Sequence, residues 1–263
     1  MVVCGDSMEL NRDYESAAIY KWRKKRKKAF VLFICIVGIC FLVTRMVRVE
    51  DKTTVKVHNM HTEQNEKPIR YVASNMIKED PKIAITFDDG PSPAWTPQLL
   101  DGLKERNVKA TFFLIGENAK NNPELVKREA EEGHLIGNHT YHHVEITRVP
   151  DETAQEEILM TNEVITGITG EEVSYMRPPF GVWQKNLERK LDVMPVLWTI
   201  DPLDWTTDNE DEIINKVVTQ AGEDDIILLH DCYESSVNAA LRIVDILQIE
   251  GFGFVTVDEL IMN

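Results

Sequence analysis

The chain has 263 residues, 43% of them hydrophobic, which suits one sizeable globular domain with attachments. Its formal net charge of −15 is unevenly split: residues 1–48 hold 10 of the 29 Lys/Arg but 4 of the 44 Asp/Glu, leaving 19 basic and 40 acidic groups on the remainder, near −21. No basic stripe is left there to neutralise phosphates, which excludes a nucleic-acid-binding face.

In chain order, the first signal is "KWRKKRKK" at 21–28, seven cations in eight residues, followed by the uncharged "AFVLFICIVGICFLV" at 29–43. Fifteen apolar residues fall short of the roughly 20 that span a bilayer. Snorkelling of Lys28 and the stem of Arg45, or local thinning, closes the gap. The sequence therefore predicts a cytoplasmic basic segment at 1–28, a transmembrane helix at 29–47 and a polar stem at 48–79. The cation excess before the apolar run puts the N-terminus in the cytoplasm and the domain outside the cell membrane. A cleaved signal peptide is the competing reading, but 38–46 has no small-x-small pattern, and Ile39 before Cys40 is a poor lipoprotein box. Of the four cysteines only Cys232 reaches the outside, so no intramolecular disulfide can form there. His58 and His61 in the stem read as an exposed pair without a role.

From residue 82 strands and helices alternate. "KIAITF" (82–87), "KATFFLIG" (109–116), "HLIGNHT" (134–140), "SYMRPPFG" (174–181), "MPVLWTID" (194–201), "DIILLHD" (225–231) and "FGFVTV" (252–257) read as seven strands. Thr96 as N-cap with Pro97 at the first helical position predicts a helix to about 106. Asn122–Pro123 opens another that ends before Gly133. Thr153 with Glu156 reads as a capping box for a helix to about 166. Further helices are expected at about 183–191, from an Asp208 cap to before Gly222, and at 236–249. This alternation predicts a parallel α/β sheet, and the regular repeat favours a (β/α) barrel spanning 80–263 over an open sheet.

The polar residues carry the functional signal. Asp88, Asp89, His139, Arg177, Asp201, Asp204, His230 and Asp231 all fall at or just past the carboxyl ends of expected strands, the face on which barrel active sites lie. Two adjacent carboxylates in "TFDDG" repel each other unless a cation or a proton-transfer role uses them. His139 and His143, four apart in "HTYHH", can converge on one ion. With Asp89 they make the two-nitrogen, one-oxygen set of a catalytic zinc site that keeps a position open; His142 is expected to point away. Asp204 beside His230 would keep that imidazole protonated as an acid. Arg177 would hold Asp88 ionised. The stiff prolines of "RPPFG" leave the Phe180 amide free to face a developing oxyanion. Trp205 reads as a wall for a sugar ring or as core. Cys232 reads as a small buried hydrophobe.

Five ordered motifs, "TFDDG" (86–90), "HTYHH" (139–143), "RPPFG" (177–181), "DPLDW" (201–205) and "LLHD" (228–231), resemble those of the NodB-like polysaccharide deacetylases, carbohydrate esterase family four. The resemblance covers roughly 80–260. It implies a distorted (β/α)7 barrel and hydrolytic removal of acetyl groups from an acetylated glycan polymer. The implied cofactor is one divalent metal ion, zinc first, with cobalt or manganese as alternatives. Carried over by position, Asp88 is the general base and Asp89, His139 and His143 hold the metal. Arg177 orients Asp88, Asp204 tunes the general acid His230, and the Phe180 amide binds the oxyanion. Trp205 and Leu228 line the pocket. With the expected anchor, peptidoglycan N-acetylglucosamine becomes the expected substrate. Chitin oligosaccharides, N-acetylmuramic acid, poly-N-acetylglucosamine and O-acetylated xylan are the alternatives. A metal-holding wall lectin without activity is the alternative of a different class; intact Asp88 and His230 speak against it.

Overall fold

The computed structural model describes residues 80–184, 187 and 191–262. The expected cytoplasmic segment, anchor and stem, with His58 and His61, lie outside the described residues. Among the described residues no helix is long and apolar enough to cross a membrane.

All seven expected strands form: β1 (Lys82–Asp88), β2 (Thr111–Leu114), β3 (Leu135–Asn138), β4 (Tyr175–Met176), β5 (Met194–Pro195), β6 (Ile226–His230) and β7 (Gly253–Phe254). Every pairing is parallel, in the order β5-β4-β3-β2-β1-β6, with β7 also on β1. β1 is therefore the hub: β6 runs along one edge while β7 and then β2 share the other. Past β5 the chain comes back to the far edge, where Ile200 bridges Ile227 of β6. The sheet is curled, as the expected (β/α) barrel requires.

Strand alternation sorts the side chains into two layers. Ile83, Ile85, Phe87, Phe112, Leu114, Ile227 and Leu229 belong to the main core, which also takes in Leu99, Leu100 and Leu103 of helix α1 (Thr96–Glu105). Phe87 stacks on Phe112 with ring centroids 5.3 Å apart; each such buried ring contributes roughly 1.5–3 kcal/mol. The alternate residues face inside the curl, where Ala84, Phe113, Val196 and Val257 form a smaller cluster. Above that cluster the same alternation leaves Thr86, Asp88 and His230 on the inner face.

The helix starts depart from expectation in three places. Thr96 does not cap α1, whose N-cap is Trp95. Its hydroxyl instead accepts the Ser92 amide at 2.7 Å and donates to Asp231. Helices α2 (Gly116–Asn121) and α3 (Pro123–Glu131) follow β2; α2 has no counterpart among the expected elements. Helix α4 (Asp151–Thr169) begins earlier than the expected capping box, with Pro150 as N-cap and Asp151 and Glu152 in its first turn. Acidic residues there complement the helix dipole without a box. Helix α5 (Glu210–Val218) is capped by Asn209, whose side chain accepts the Glu212 amide at 3.3 Å, not by Asp208. Helix α6 (Glu234–Ile249) matches expectation, and a short α7 (Val257–Met262) ends the described chain. The expected helix at 183–191 falls partly outside the described residues, preceded by a 3-10 turn at Pro179–Gly181.

Candidate active site

The parallel register sets Asp88 opposite His230 at the carboxyl ends of β1 and β6. Both face the inner layer, and so does Arg177, which follows β4. Arg177 is fully buried. Its Nη1 donates to Asp88 Oδ1 and Thr86 Oγ1, each at 2.7 Å, and its Nε to the Val196 carbonyl at 3.3 Å. The guanidinium carbon lies 4.3 Å from the Phe113 ring centroid. That ring needs Gly137 beside it, since a Cβ there would stand 2.5 Å from Phe113 Cδ1. Burial pulls the Arg177 guanidinium down, and Asp88 works against this. A buried guanidinium tolerates such a place only with a carboxylate bonded to it, so Asp88 is held as an oriented anion.

One residue later the backbone turns over. Asp89 has φ of 72°, which sends its side chain away from that of Asp88. The Asp89 carbonyl accepts a bond from Asn118 Nδ2 of α2 at 2.8 Å. Gly90 is required next: a Cβ there would sit 2.5 Å from Asp231 Oδ1. Turned this way, Asp89 Oδ1 lies 3.4 Å from Nε2 of both His139 and His143. The three ligand atoms fall within 4.8 Å of one another, and they are the one such group of three among the described residues.

The chemistry of this donor set fits a divalent cation. His139 Nδ1 lies 2.7 Å from the Arg177 carbonyl, so that nitrogen carries the proton and Nε2 offers its lone pair to the trio. Burial holds His143 down to about 4, with neighbouring His139 adding to the effect, so its ring is neutral and able to ligate at ordinary pH. Burial works to raise Asp89, but the bond to His139 and the charge of His230 hold it well below the usual carboxylate range. For His139, burial lowers the imidazolium while Asp88 and Asp89 bring it above its usual value; a cation at the trio would take that proton's place. Three protein ligands with open positions is the arrangement of catalytic rather than structural zinc.

On the other side of Asp88 stands His230. Asp204, nearly fully buried, takes the His230 amide on Oδ2 and lies against His230 Nδ1 with Oδ1, both at 2.8 Å. Burial lowers His230, but the Asp204 carboxylate overrides it and, with Asp89 and Asp88, pushes the imidazole up to about 10. His230 is therefore charged at neutral pH while Asp88 is held anionic against Arg177. A carboxylate bonded to a guanidinium and a charged imidazole thus flank the trio.

The remaining expected residues divide. Phe180, with φ of 61°, sits in the 3-10 turn with its ring centroid 5.1 Å from that of His143, and its side chain is exposed. Trp205 is also exposed, with Leu203 beside it, so it is not core. Leu228 pairs with Thr86, one layer below the Asp88–His230 pair, and is buried. His142 points out as expected but is not idle: its Nδ1 lies 2.8 Å from Glu157 Oε1. Cys232 is partly exposed, not fully buried. Sequence reasoning missed Thr86, Asn138 and Glu157. Glu157 does leave a trace, because it lies within the buried stripe Ala154, Glu157, Ile158, Thr161 and Ile165 of α4, where a carboxylate is out of place unless bonded. Asp231 was legible by position but not by role; burial pushes it up to about 7, against its bond from Thr96.

Residues 75–196 match the family model described as polysaccharide deacetylase. A peptidoglycan-N-acetylglucosamine deacetylase of Bacillus cereus is 38% identical over 202 residues, 74% of this chain and 94% of that protein. The chain belongs to the polysaccharide deacetylase family. The peptidoglycan-N-acetylglucosamine deacetylase PgdA of Listeria monocytogenes is 37% identical over 216 residues, 80% of this chain and 46% of PgdA. The peptidoglycan-N-acetylmuramic acid deacetylase PdaC of Bacillus subtilis is 38% identical over 210 residues, 78% of this chain and 45% of PdaC. A solved structure of PdaC superposes with a TM-score of 0.67 at 39% identity, covering 69% of this chain and 90% of that one. The chain thus spans about half the length of PgdA and PdaC.

Proposed function

We propose that this chain is a metal-dependent hydrolase that removes N-acetyl groups from peptidoglycan N-acetylglucosamine and releases acetate. The observation that most supports this reading is the placement of anionic Asp88 and cationic His230 on paired strand ends beside the Asp89, His139 and His143 trio. A divalent ion held by that trio, zinc first and cobalt or manganese as alternatives, would supply a Lewis acid for the acetyl carbonyl and for water.

The chain's own groups account for the proton traffic. Asp88, fixed by Arg177, takes the proton of the water that attacks the acetyl carbon. The Phe180 amide faces the oxygen on which negative charge develops. As the C–N bond breaks, His230 gives its proton to the leaving nitrogen, and acetate and a free amino sugar separate. Trp205 offers an exposed ring to the sugar, and Leu228 lies below the reacting pair. The fold is the distorted (β/α)7 barrel, carried outside the cell membrane by an anchor at 29–47 with the N-terminus in the cytoplasm, on the charge asymmetry of the sequence.

The substrate follows from the company the chain keeps and from that topology: the relatives named above act on peptidoglycan, and an anchored outward domain reaches it. PdaC's activity on N-acetylmuramic acid supports a second reading with the same chemistry on the neighbouring sugar. Mass spectrometry of enzyme-treated, muramidase-digested peptidoglycan separates them. Mass loss of one acetyl confined to glucosamine supports the proposal; loss confined to muramic acid supports the second reading, and intact acetylation of both counts against either.

A further inference from the structure

The loop that carries the two histidine ligands has no repeating backbone ladder to hold its shape. Thr140 and His143 both have positive φ, 61° and 56°, a conformation unfavourable for such residues that persists only where the surroundings over-determine it. Four of the loop's amides end on side chains. The Thr140 amide goes to Asn138 Oδ1 at 2.7 Å and the Val144 amide to Thr140 Oγ1 at 3.1 Å. The other two, from Tyr141 at 3.0 Å and His142 at 2.8 Å, converge on one oxygen, Oε2 of Glu157. Its second oxygen, Oε1, takes His142 Nδ1 at 2.8 Å. On the opposite side the Thr140 and Tyr141 carbonyls accept the Gly116 and Glu117 amides of α2.

We propose that Glu157 is a positioning residue for the metal, clamping the two amides that precede His143 and so aiming that imidazole at the trio. The two ligands differ in what holds them. His139 follows directly on β3 and is fixed a second time by its Nδ1 contact to the Arg177 carbonyl. His143 is partly exposed at the loop's far end, and the bonds immediately before it are those to Glu157. A carboxylate suits the task because a single anionic oxygen accepts two amides at once, and charge-assisted bonds are the stronger kind. Glu157 sits on α4, behind the loop, and is buried; it acts on the metal only through the loop. This inference rests on the proposed metal role of His143.

The test is zinc affinity, measured on the intact chain by competition with a chromophoric chelator, with thermal unfolding of the metal-free chain alongside. Glu157→Ala removes all three contacts. It should weaken zinc binding by roughly ten- to a hundred-fold, the usual effect of losing a group that orients a ligand. Glu157→Gln keeps an acceptor for the amides but not the charge, and should fall between the two; it also stands in if the alanine variant does not fold. Unchanged zinc affinity in a folded variant, with only the unfolding temperature lowered, would overturn the proposal and leave Glu157 as a structural strut. Failure of the unaltered chain to take up zinc would instead overturn the metal reading on which the proposal depends.

Discussion

Replacing Asp204 by Asn removes the charge that keeps His230 protonated while preserving the size of the side chain. Asp204 makes two contacts of 2.8 Å to His230, and the imidazole stands at about 10, against an ordinary value of about 6.5. That difference corresponds to roughly 5 kcal/mol in favour of the charged ring. Without the carboxylate, burial, which acts to lower His230, is opposed only by Asp89 and Asp88, and the ring falls towards its ordinary value. A general acid must hold its proton, so activity is lost as pH rises through its pKa. A cation at the trio opposes the His230 charge and draws the alkaline limit of the unaltered enzyme below 10. The ratio of kcat/KM in Asp204→Asn to that of the unaltered chain should therefore be highest near pH 5.5 and fall by roughly ten- to thirty-fold at pH 8. Acetate release from an N-acetylglucosamine oligomer by the zinc-loaded chain, read from pH 5 to 10, measures it. A ratio that stays flat with pH would refute the assignment of Asp204 as the group that sets the acid. Stability follows the same sign. Because the folded pKa of His230 is raised, the pair's contribution is complete below about 6.5 and disappears as pH climbs towards 10.

Other perturbations reach different parts of the account. Gly90→Ala places a Cβ 2.5 Å from Asp231 Oδ1 and should cost about 1–3 kcal/mol, read as a lower urea midpoint; an unchanged midpoint would mean that the loop yields freely. Arg177→Ala strands the buried Asp88 carboxylate, and a loss of about 3–5 kcal/mol is expected by the same measurement, whereas a loss under about 1 kcal/mol would show that water replaces the guanidinium. Deleting 29–47 should release the chain from carbonate-washed membranes that retain the full-length form; equal retention of both would rule out that segment as the anchor.

Much of the fold was legible because the strands are short, apolar and in register with the chemistry. Ile83, Ile85 and Phe87 alternate with Ala84, Thr86 and Asp88, and this period of two is what separates the outer core from the inner site. The gathering of polar residues at strand ends needed only the parallel topology to become a site. Helix starts were read less well, because a cap depends on where the chain leaves the preceding loop. Thr96, a good cap by type, is taken by Asp231, and Thr153 lies inside a helix that begins at Asp151. Side chains that act from behind the site were the least legible. Asn138 and Glu157 lie on elements whose pattern reads as packing, and their partners are backbone amides that no composition or spacing reveals.

The most direct test of the account measures acetate released from N-acetylglucosamine oligomers and from peptidoglycan by the purified chain, stripped of metal and then given zinc. Asp88→Asn, which leaves the trio intact, runs beside it. The account predicts release that depends on zinc and falls by roughly 10²–10⁴-fold in the variant, while zinc affinity is unchanged. Tight zinc binding with no acetate from either glycan would contradict it.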